Sequence, residues 1–356
     1  MRARHLAAAL AAAAVALAGC SGDPDPAPSS TSPTPTPSPA ITVKGADAAL
    51  TRAVAKVYAG KTGVTATAHL GTWKRKKVAV VTSGKDVTLA VGPSWKVVGG
   101  WWPSLERRAS LGKGPRFVLV IGSDARPGEP LKGTRGDTLQ IVGIDGKGGG
   151  GIIGMARDIW APMPGGGEAK INAAFAYGGG KGQVETVRAV TGLPIEGYVV
   201  TGFGGFQKIV NKSGGLPMKV AEKLVFLGTT TVKKGKQVLS GKSALAYARE
   251  RKSLPDGDFG RSAHQGDLLL AAAVAARVQG PSVIPKEMTL VSKFAESDRT
   301  ATEALTFVAS MYKVSPGKVG HTVAKGGFGT SSDGQSIVIL DDESKQAFVK
   351  FKDGRL

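Results

Sequence analysis

Three apolar runs follow one another through the middle of this chain: Arg116–Gly122, Asp137–Ile144 and Ile152–Ala156. Each is short, rich in valine and isoleucine, and closed by glycine, aspartate or arginine, which predicts β-strands buried on both faces. If they pair as an antiparallel meander, the first ends at Asp124, the second starts at Asp137 and the third ends at Arg157 and Asp158. Alternate connections of a meander share a sheet edge, so these residues would meet. A parallel sheet would instead send Asp137 to the opposite edge.

The flanking segments change period. Asp47 to Tyr58 has apolar residues at helical spacing, with Asp47 placed to cap it. KKVAVVTSG, KDVTLAVG and KVVGGWW then read as a second, smaller antiparallel meander. Residues 41–111 therefore form a small α+β accessory unit in this reading, and residues 113–356 the main domain. Helices are predicted at Ala169–Tyr177, Gln183–Val190, Phe203–Lys212, Ser240–Ala248, Arg261–Val278, Pro285–Glu296 and Thr300–Tyr312. Strands at Gly320–Ala324 and Ser336–Leu340 and a last helix at Glu343–Phe351 complete the chain. Strands and helices mix without strict alternation, which fits a three-layer α/β/α sandwich around a mixed, largely antiparallel sheet.

The first forty residues carry no such pattern. A basic start, a short alanine/leucine run and Leu17-Ala18-Gly19-Cys20 read as a signal peptide over residues 1–19, with Cys20 in a bacterial lipobox. The apolar run is shorter than the ~20 residues a membrane-spanning helix needs. Residues 20–40 then read as a lipidated cysteine on an extended Pro/Ser/Thr-rich tether. Cys20 is the only cysteine, which excludes a disulfide and a cysteine-based zinc site. The expected location is extracytoplasmic, lipid-anchored to the cell membrane.

Charge narrows the partners. The formal net charge is +20, which favours polyanions. Export removes nucleic acid from that class and leaves anionic lipids, phosphorylated lipids and wall polymers.

Candidate chemistry gathers at the predicted strand ends. Asp124 and Asp137 each read alone as a turn cap. As a pair beside arginines they read as ligands for Mg²⁺ (or Mn²⁺), which takes a few carboxylates and shares its other positions with water and phosphate. Arg126, Arg135, Arg157, Arg249, Arg251 and Arg261 are candidate anion ligands, since guanidinium forks grip phosphate oxygens and stay charged. Arg249 and Arg251 are two apart, so an extended chain would point both to one side. Arg261 and Gln265 share a helix face, and Arg261 falls at a predicted helix start, where an anion is favoured. Any one of these arginines alone reads as a soluble surface charge.

Weaker signals lead nowhere. SGKS at Ser240–Ser243 resembles a P-loop, but Gly235 is one residue too distant. His69, His264 and His321 show no metal spacing, and no G-x-S-x-G nucleophile elbow is present.

The ordered series GSDAR, RGDT, ARD, KINAAFAYGG, VETVRAVTGLPIEGYVVTGFGGF, LSGKSALAYARER and DFGRSAHQ resembles the LytR–CpsA–Psr family, from about Lys113 to the C-terminus. That resemblance implies a phosphotransferase moving a glycopolymer from a polyprenyl-pyrophosphate carrier to a peptidoglycan hydroxyl. It implies Mg²⁺ or Mn²⁺ on Asp124 and Asp137. It implies pyrophosphate held by Arg135, Arg157, Arg249, Arg251 and Gln265, with Arg126 and Arg261 matching further arginines of the same motifs. Asp124, Arg157 and Arg249 would carry the catalysis, and an apolar tunnel would take the polyprenyl chain. Two departures stand out: a lipid anchor in place of the family's common N-terminal membrane helix, and Ala156 and His264 in place of the usual Pro and Arg. A polyprenyl-pyrophosphate hydrolase and a non-catalytic lipoprotein binding anionic wall polymer are the competing expectations.

Overall fold

The computed structural model describes residues 41–356. The expected signal peptide, Cys20 and the expected tether lie outside the described residues. Among the described residues no single helix is long and apolar enough to cross a membrane.

The chain opens with β1 (Ile41–Lys44), α1 (Ala48–Ala55), β2 (Val64–Trp73), β3 (Lys76–Ser83), β4 (Asp86–Val91), β5 (Lys96–Trp102) and β6 (Arg107–Ser110). Asp47 caps α1 by accepting the Leu50 N–H at 2.7 Å, as its position before the apolar repeat predicts. The six strands form one sheet in sequence order, parallel between β1 and β2 and antiparallel thereafter. β1 and β2 were not foreseen.

Next come β7 (Arg116–Ser123), β8 (Gly136–Ile144) and β9 (Gly150–Met155), a small hairpin of β10 (Trp160–Pro162) and β11 (Glu168–Lys170), then α2 (Ala173–Thr191), β12 (Ile195–Thr201) and α3 (Phe203–Lys212). Two further hairpins nest together, with β14 (Leu224–Phe226) and β15 (Thr230–Val232) lying between β13 (Leu216–Val220) and β16 (Gly235–Leu239). The chain ends in α4 (Gly241–Arg249), α5 (Asp258–Gln279), α6 (Ile284–Phe294), β17 (Glu296–Ser297), α7 (Ala301–Lys313), β18 (Val319–Ala324), β19 (Gly326–Thr330), β20 (Ser336–Leu340) and α8 (Asp342–Lys350).

The central sheet has the order β17-β12-β7-β8-β9-β18. β7, β8 and β9 are the expected antiparallel meander, while β12 and β18 add in parallel to its two sides. Both faces of β7 are covered, which is why its run is continuously apolar. Phe117, Leu119 and Ile121 share a core with Phe175, Val184 and Val187 of α2 and Phe348 of α8. Val118, Val142 and Ile152 face the other way, towards Phe307 of α7 and Leu269 and Leu270 of α5. Helices on each side of a mixed sheet give the α/β/α layering.

The first sheet does not close on itself. Val78 and Val80 pack against Met288 of α6 and Leu305 of α7, while Ala79 and Val81, on the opposite face, pack with Leu50 and Val54 of α1. The Trp73 indole N–H also donates to the Arg299 carbonyl at 2.9 Å. Residues from both ends of the sequence therefore build one core.

Two predicted helix boundaries differ. The segment expected to be helical from Ala169 first pairs β11 with β10, and the helix starts at Ala173. It then runs on to Thr191 through a break at Gly179 (φ 59°, ψ −155°), a left-handed conformation that glycine adopts without a side-chain clash.

Candidate functional site

The β7 end, the β8 start and the β9 end lie on one edge of the central sheet, as the antiparallel register requires. The loop from Asp124 to Arg135 is pinched shut there. Asp124 donates its backbone N–H to the Arg135 carbonyl (3.0 Å), and its carboxylate accepts the Arg135 N–H (2.8 Å). Ser123 Oγ and Thr134 Oγ1, 2.6 Å apart, close the loop one step further in. The next turn is stitched across: Gly136 N–H donates to the Asn172 carbonyl (3.0 Å), and Asn172 N–H to the Arg157 carbonyl (3.3 Å).

Asp137 is the hub. One carboxylate oxygen accepts from Arg157 Nη1 at 2.5 Å, the other from Asn172 Nδ2 at 2.9 Å. Its backbone carbonyl accepts from Arg261 Nη2 at 3.4 Å. Arg157 also faces Asp158 and Asp258, with Nε at 3.8 and 3.9 Å, too far for hydrogen bonds. Burial opposes the Arg157 charge, but the carboxylates of Asp137, Asp258 and Asp158 outweigh it and raise the guanidinium above its ordinary value.

Arg261 is pushed the other way. It is buried, and burial lowers its value, with Arg157 and Arg251 adding like charge against the attraction of Asp258 and Asp137. Asp258 lies 2.8 Å from Arg261 Nη2 in an ion pair that is not an aligned hydrogen bond. Arg157 Nε and Arg261 Nε are both buried N–H donors without an acceptor. Buried donors are seldom left so, and an anion oxygen or ordered water would satisfy them.

Arg249 closes α4. Its guanidinium lies 4.3 Å from the Phe203 ring centre and 5.0 Å from that of Phe226. Burial, then the charge of Arg126, lowers its value against the pull of Asp137. Arg126, Arg249 and Asp137 are thus within electrostatic reach of one another. Between Arg249 and Arg251 the chain is extended at Glu250, which is buried and accepts the Ser253 N–H. Both arginines remain exposed.

Three expectations need correction or narrowing. Arg261 is not the first residue of its helix: α5 starts at Asp258, and that carboxylate already occupies the positive end of the helix dipole. Gln265 is buried, its amide N–H donating to the Ala248 carbonyl (3.1 Å) while its oxygen faces Gln140 Nε2 (3.5 Å). It braces α4 against α5 beneath the arginines. Arg135 contributes its backbone to Asp124, and its side chain is exposed.

Asn172 and Asp258 belong to the same network and were not singled out from the sequence, whereas Asp158 was expected at this edge. An aspartate three residues before Arg261 at a helix start was the available signal for Asp258. Gly154 lets α5 come close enough to bring Arg261 in, since a Cβ there would lie 2.5 Å from Ser262 Oγ.

The donor set fits a hard cation. Two carboxylates at one edge supply oxygen only, and Asp124 Oδ2 has no hydrogen bond among the described residues. Among those residues no group of three or more His, Cys, Asp or Glu would hold a metal unaided. A cation here would complete its shell with water and phosphate oxygens, the habit of Mg²⁺.

A family model described as the LytR_cpsA_psr family matches residues 84–352, beginning at the turn into β4. Among curated relatives, the Bacillus subtilis polyisoprenyl-teichoic acid–peptidoglycan teichoic acid transferase TagV is 34% identical over 198 residues, covering 53% of this chain and 50% of that protein. The Staphylococcus aureus regulatory protein MsrR is 35% identical over 159 residues, 43% of this chain and 46% of that protein. The chain thus spans about half the length of the curated relatives it matches. Among solved structures, B. subtilis TagV superposes with a TM-score of 0.56 at 26% identity, covering 69% of this chain and 100% of that one. TagT bound to LIIa-WTA superposes with a TM-score of 0.57 at 23% identity, covering 70% and 94%, a likeness of fold.

Proposed function

The chain belongs to the LytR_cpsA_psr family, and from that premise we propose that it is a glycopolymer phosphotransferase. Its donor would be a polyprenyl-pyrophosphate-linked glycan and its acceptor a peptidoglycan hydroxyl, at the outer face of the membrane to which Cys20 would anchor it. The observation that carries this reading is the bonding of both Arg157 and Arg261 to Asp137, with Arg249 within electrostatic reach of it and two buried guanidinium N–H groups lacking an acceptor. That arrangement suits a doubly charged phosphate group better than any neutral ligand.

Asp124 and Asp137 would hold Mg²⁺ or Mn²⁺, which when bound would neutralise charge on the pyrophosphate oxygens. The acceptor hydroxyl attacks the phosphorus that bears the glycan. A new oxygen–phosphorus bond forms, the bond from that phosphorus to the bridging oxygen breaks, and polyprenyl phosphate leaves with the electron pair. Arg157 and Arg249 stabilise the charge growing on that leaving group. The hydroxyl proton passes to solvent water, since the free oxygen of Asp124 is the one that would hold the cation.

The lipid part of the donor finds support on the Val118 face of the sheet. There Val120, Val199, Leu269 and Leu270 are apolar yet only partly buried, next to the fully packed end at Val142 and Phe307. Paired carboxylates beside the arginines argue for catalysis over simple polymer binding.

The test supplies a labelled pyrophosphate-linked glycan and peptidoglycan, with Mg²⁺ or with chelator. Transfer of label to peptidoglycan only with the metal supports the reading. Release of glycan phosphate to water at the same rate with and without peptidoglycan would make the protein a hydrolase, and no reaction would leave a binder.

A further inference from the structure

We propose that the paired hairpins β13–β16 and β14–β15 are a docking surface for an anionic lipid bilayer. Between Phe203 and Arg249 the chain carries eight lysines and one acid, Glu222. Lys219 and Lys236 are direct cross-strand partners, so their side chains rise from the same face. Like charges placed so repel unless an external anion covers them, and among the described residues neither lysine has a carboxylate partner. Pro217 and Val238 are the next pair on that face, and all four residues are exposed.

Charge alone would suit any polyanion. The apolar side chains decide for lipid. Val238 is 61% exposed, Leu227 66% and Val225 44%. Leu227 stands at the tip of the β14–β15 hairpin with φ 51°, a backbone region that a leucine enters only at a cost. A soluble polyanion gives such side chains nothing to bury against, whereas a bilayer interface receives apolar tips ringed by lysine. The hairpin's inner side bears Phe226, which lies against Arg249. Docking by its outer side therefore brings the arginine cluster to the lipid surface. Docking of this kind requires no step of the transfer reaction.

The experiment uses the full chain with Cys20→Ser, so that acylation plays no part, and with Leu227→Cys carrying a polarity-sensitive fluorophore. A second protein carries the label at Ser332→Cys, an exposed position in the β19–β20 turn. The probe is mixed phosphatidylglycerol–phosphatidylcholine vesicles, compared with pure phosphatidylcholine. A blue shift at position 227 with the anionic vesicles alone, and none at position 332, is expected. Adding Lys219→Ala and Lys236→Ala should weaken the apparent vesicle affinity roughly thirtyfold, from about a fivefold contribution per lysine. The same shift in an Arg157→Ala background would separate docking from transfer. No shift at position 227, equal shifts at both positions, or a shift with soluble polyphosphate but not with vesicles would overturn the proposal.

Discussion

Arg157→Ala removes the side chain on which the site's electrostatics turn, and its effects divide into two measurable parts. The first is on the ligand. A charge-assisted hydrogen bond contributes about 1.5–3 kcal/mol, so affinity for a pyrophosphate lipid should fall roughly ten- to a hundredfold. The second is on the fold. The Arg157–Asp137 pair is about a quarter exposed, between surface pairs that contribute little and buried ones whose disruption is severe. Losing it should cost about 1–2 kcal/mol, or about 2–8 °C in Tm. Adding Asp137→Asn to Arg157→Ala removes the stranded carboxylate and should recover part of the Tm but none of the affinity. Arg157→Lys keeps the charge and should recover most of the Tm, with only partial binding. Titration calorimetry with a short-chain polyprenyl pyrophosphate and Mg²⁺, beside thermal melts, reads both. If Arg157→Ala binds the pyrophosphate as well as the parent does, the shared anion site is refuted whatever the melts show.

Arg249→Lys should retain only part of the affinity, because lysine loses both the planar fork and the face-on contact with Phe203 and Phe226; transfer falling further than binding would place its effect in the transition state. Asp124→Ala should weaken Mg²⁺-dependent pyrophosphate binding while leaving the melt nearly unchanged, and equal metal response in the variant would reduce Asp124 to a turn cap. His264 is held below its ordinary value, chiefly by burial. Protonation therefore favours the unfolded chain, and stability should be full above about pH 6.5 and fall as the pH drops below it. Melts of His264→Asn should show a shallower acid slope over that window, and identical slopes would count against it. Cys20→Ser should abolish labelling by a radioactive fatty acid and release the protein from membranes, and continued labelling would dismiss the lipid anchor.

What the sequence made legible follows from how each element is stabilised. β7, β8 and β9 stand out because burial on two faces demands unbroken apolar runs, and their antiparallel order then places Asp124, Asp137 and Arg157 together. α4 and α7 announce themselves by capping, at Ser240 and in the reciprocal Thr300–Glu303 box. The three-residue strands β10, β11, β14 and β15 are too short for any period, and only tertiary pairing reveals them. α2 is broken at Gly179, within the glycine run where local propensity predicts a break. The structure keeps glycine because a Cβ on Gly180 would lie 2.2 Å from the Tyr198 ring. Asp258 and Asn172 were illegible as site residues for another reason. Each lies beside a helix start, where such residues ordinarily serve the helix, and only the fold shows them turned towards Arg261 and Asp137.

A cluster of like charges must have a reason to hold its shape. Arg126, Arg157, Arg249, Arg251 and Arg261 lie about Asp137, Asp158 and Asp258, and Asp158 is shared further with Lys170 at 3.0 Å. The aspartates are unevenly shared. They lift Arg157 above its ordinary value, while burial and neighbouring guanidiniums depress Arg249 and Arg261. Without a ligand, then, Arg157 is satisfied electrostatically and the other two are not. A pyrophosphate substituted at both ends would bring two negative charges to these guanidiniums. Its oxygens would also give Arg157 Nε and Arg261 Nε the acceptors they lack. The uneven sharing of the aspartates thus favours the proposed anionic donor over a neutral ligand.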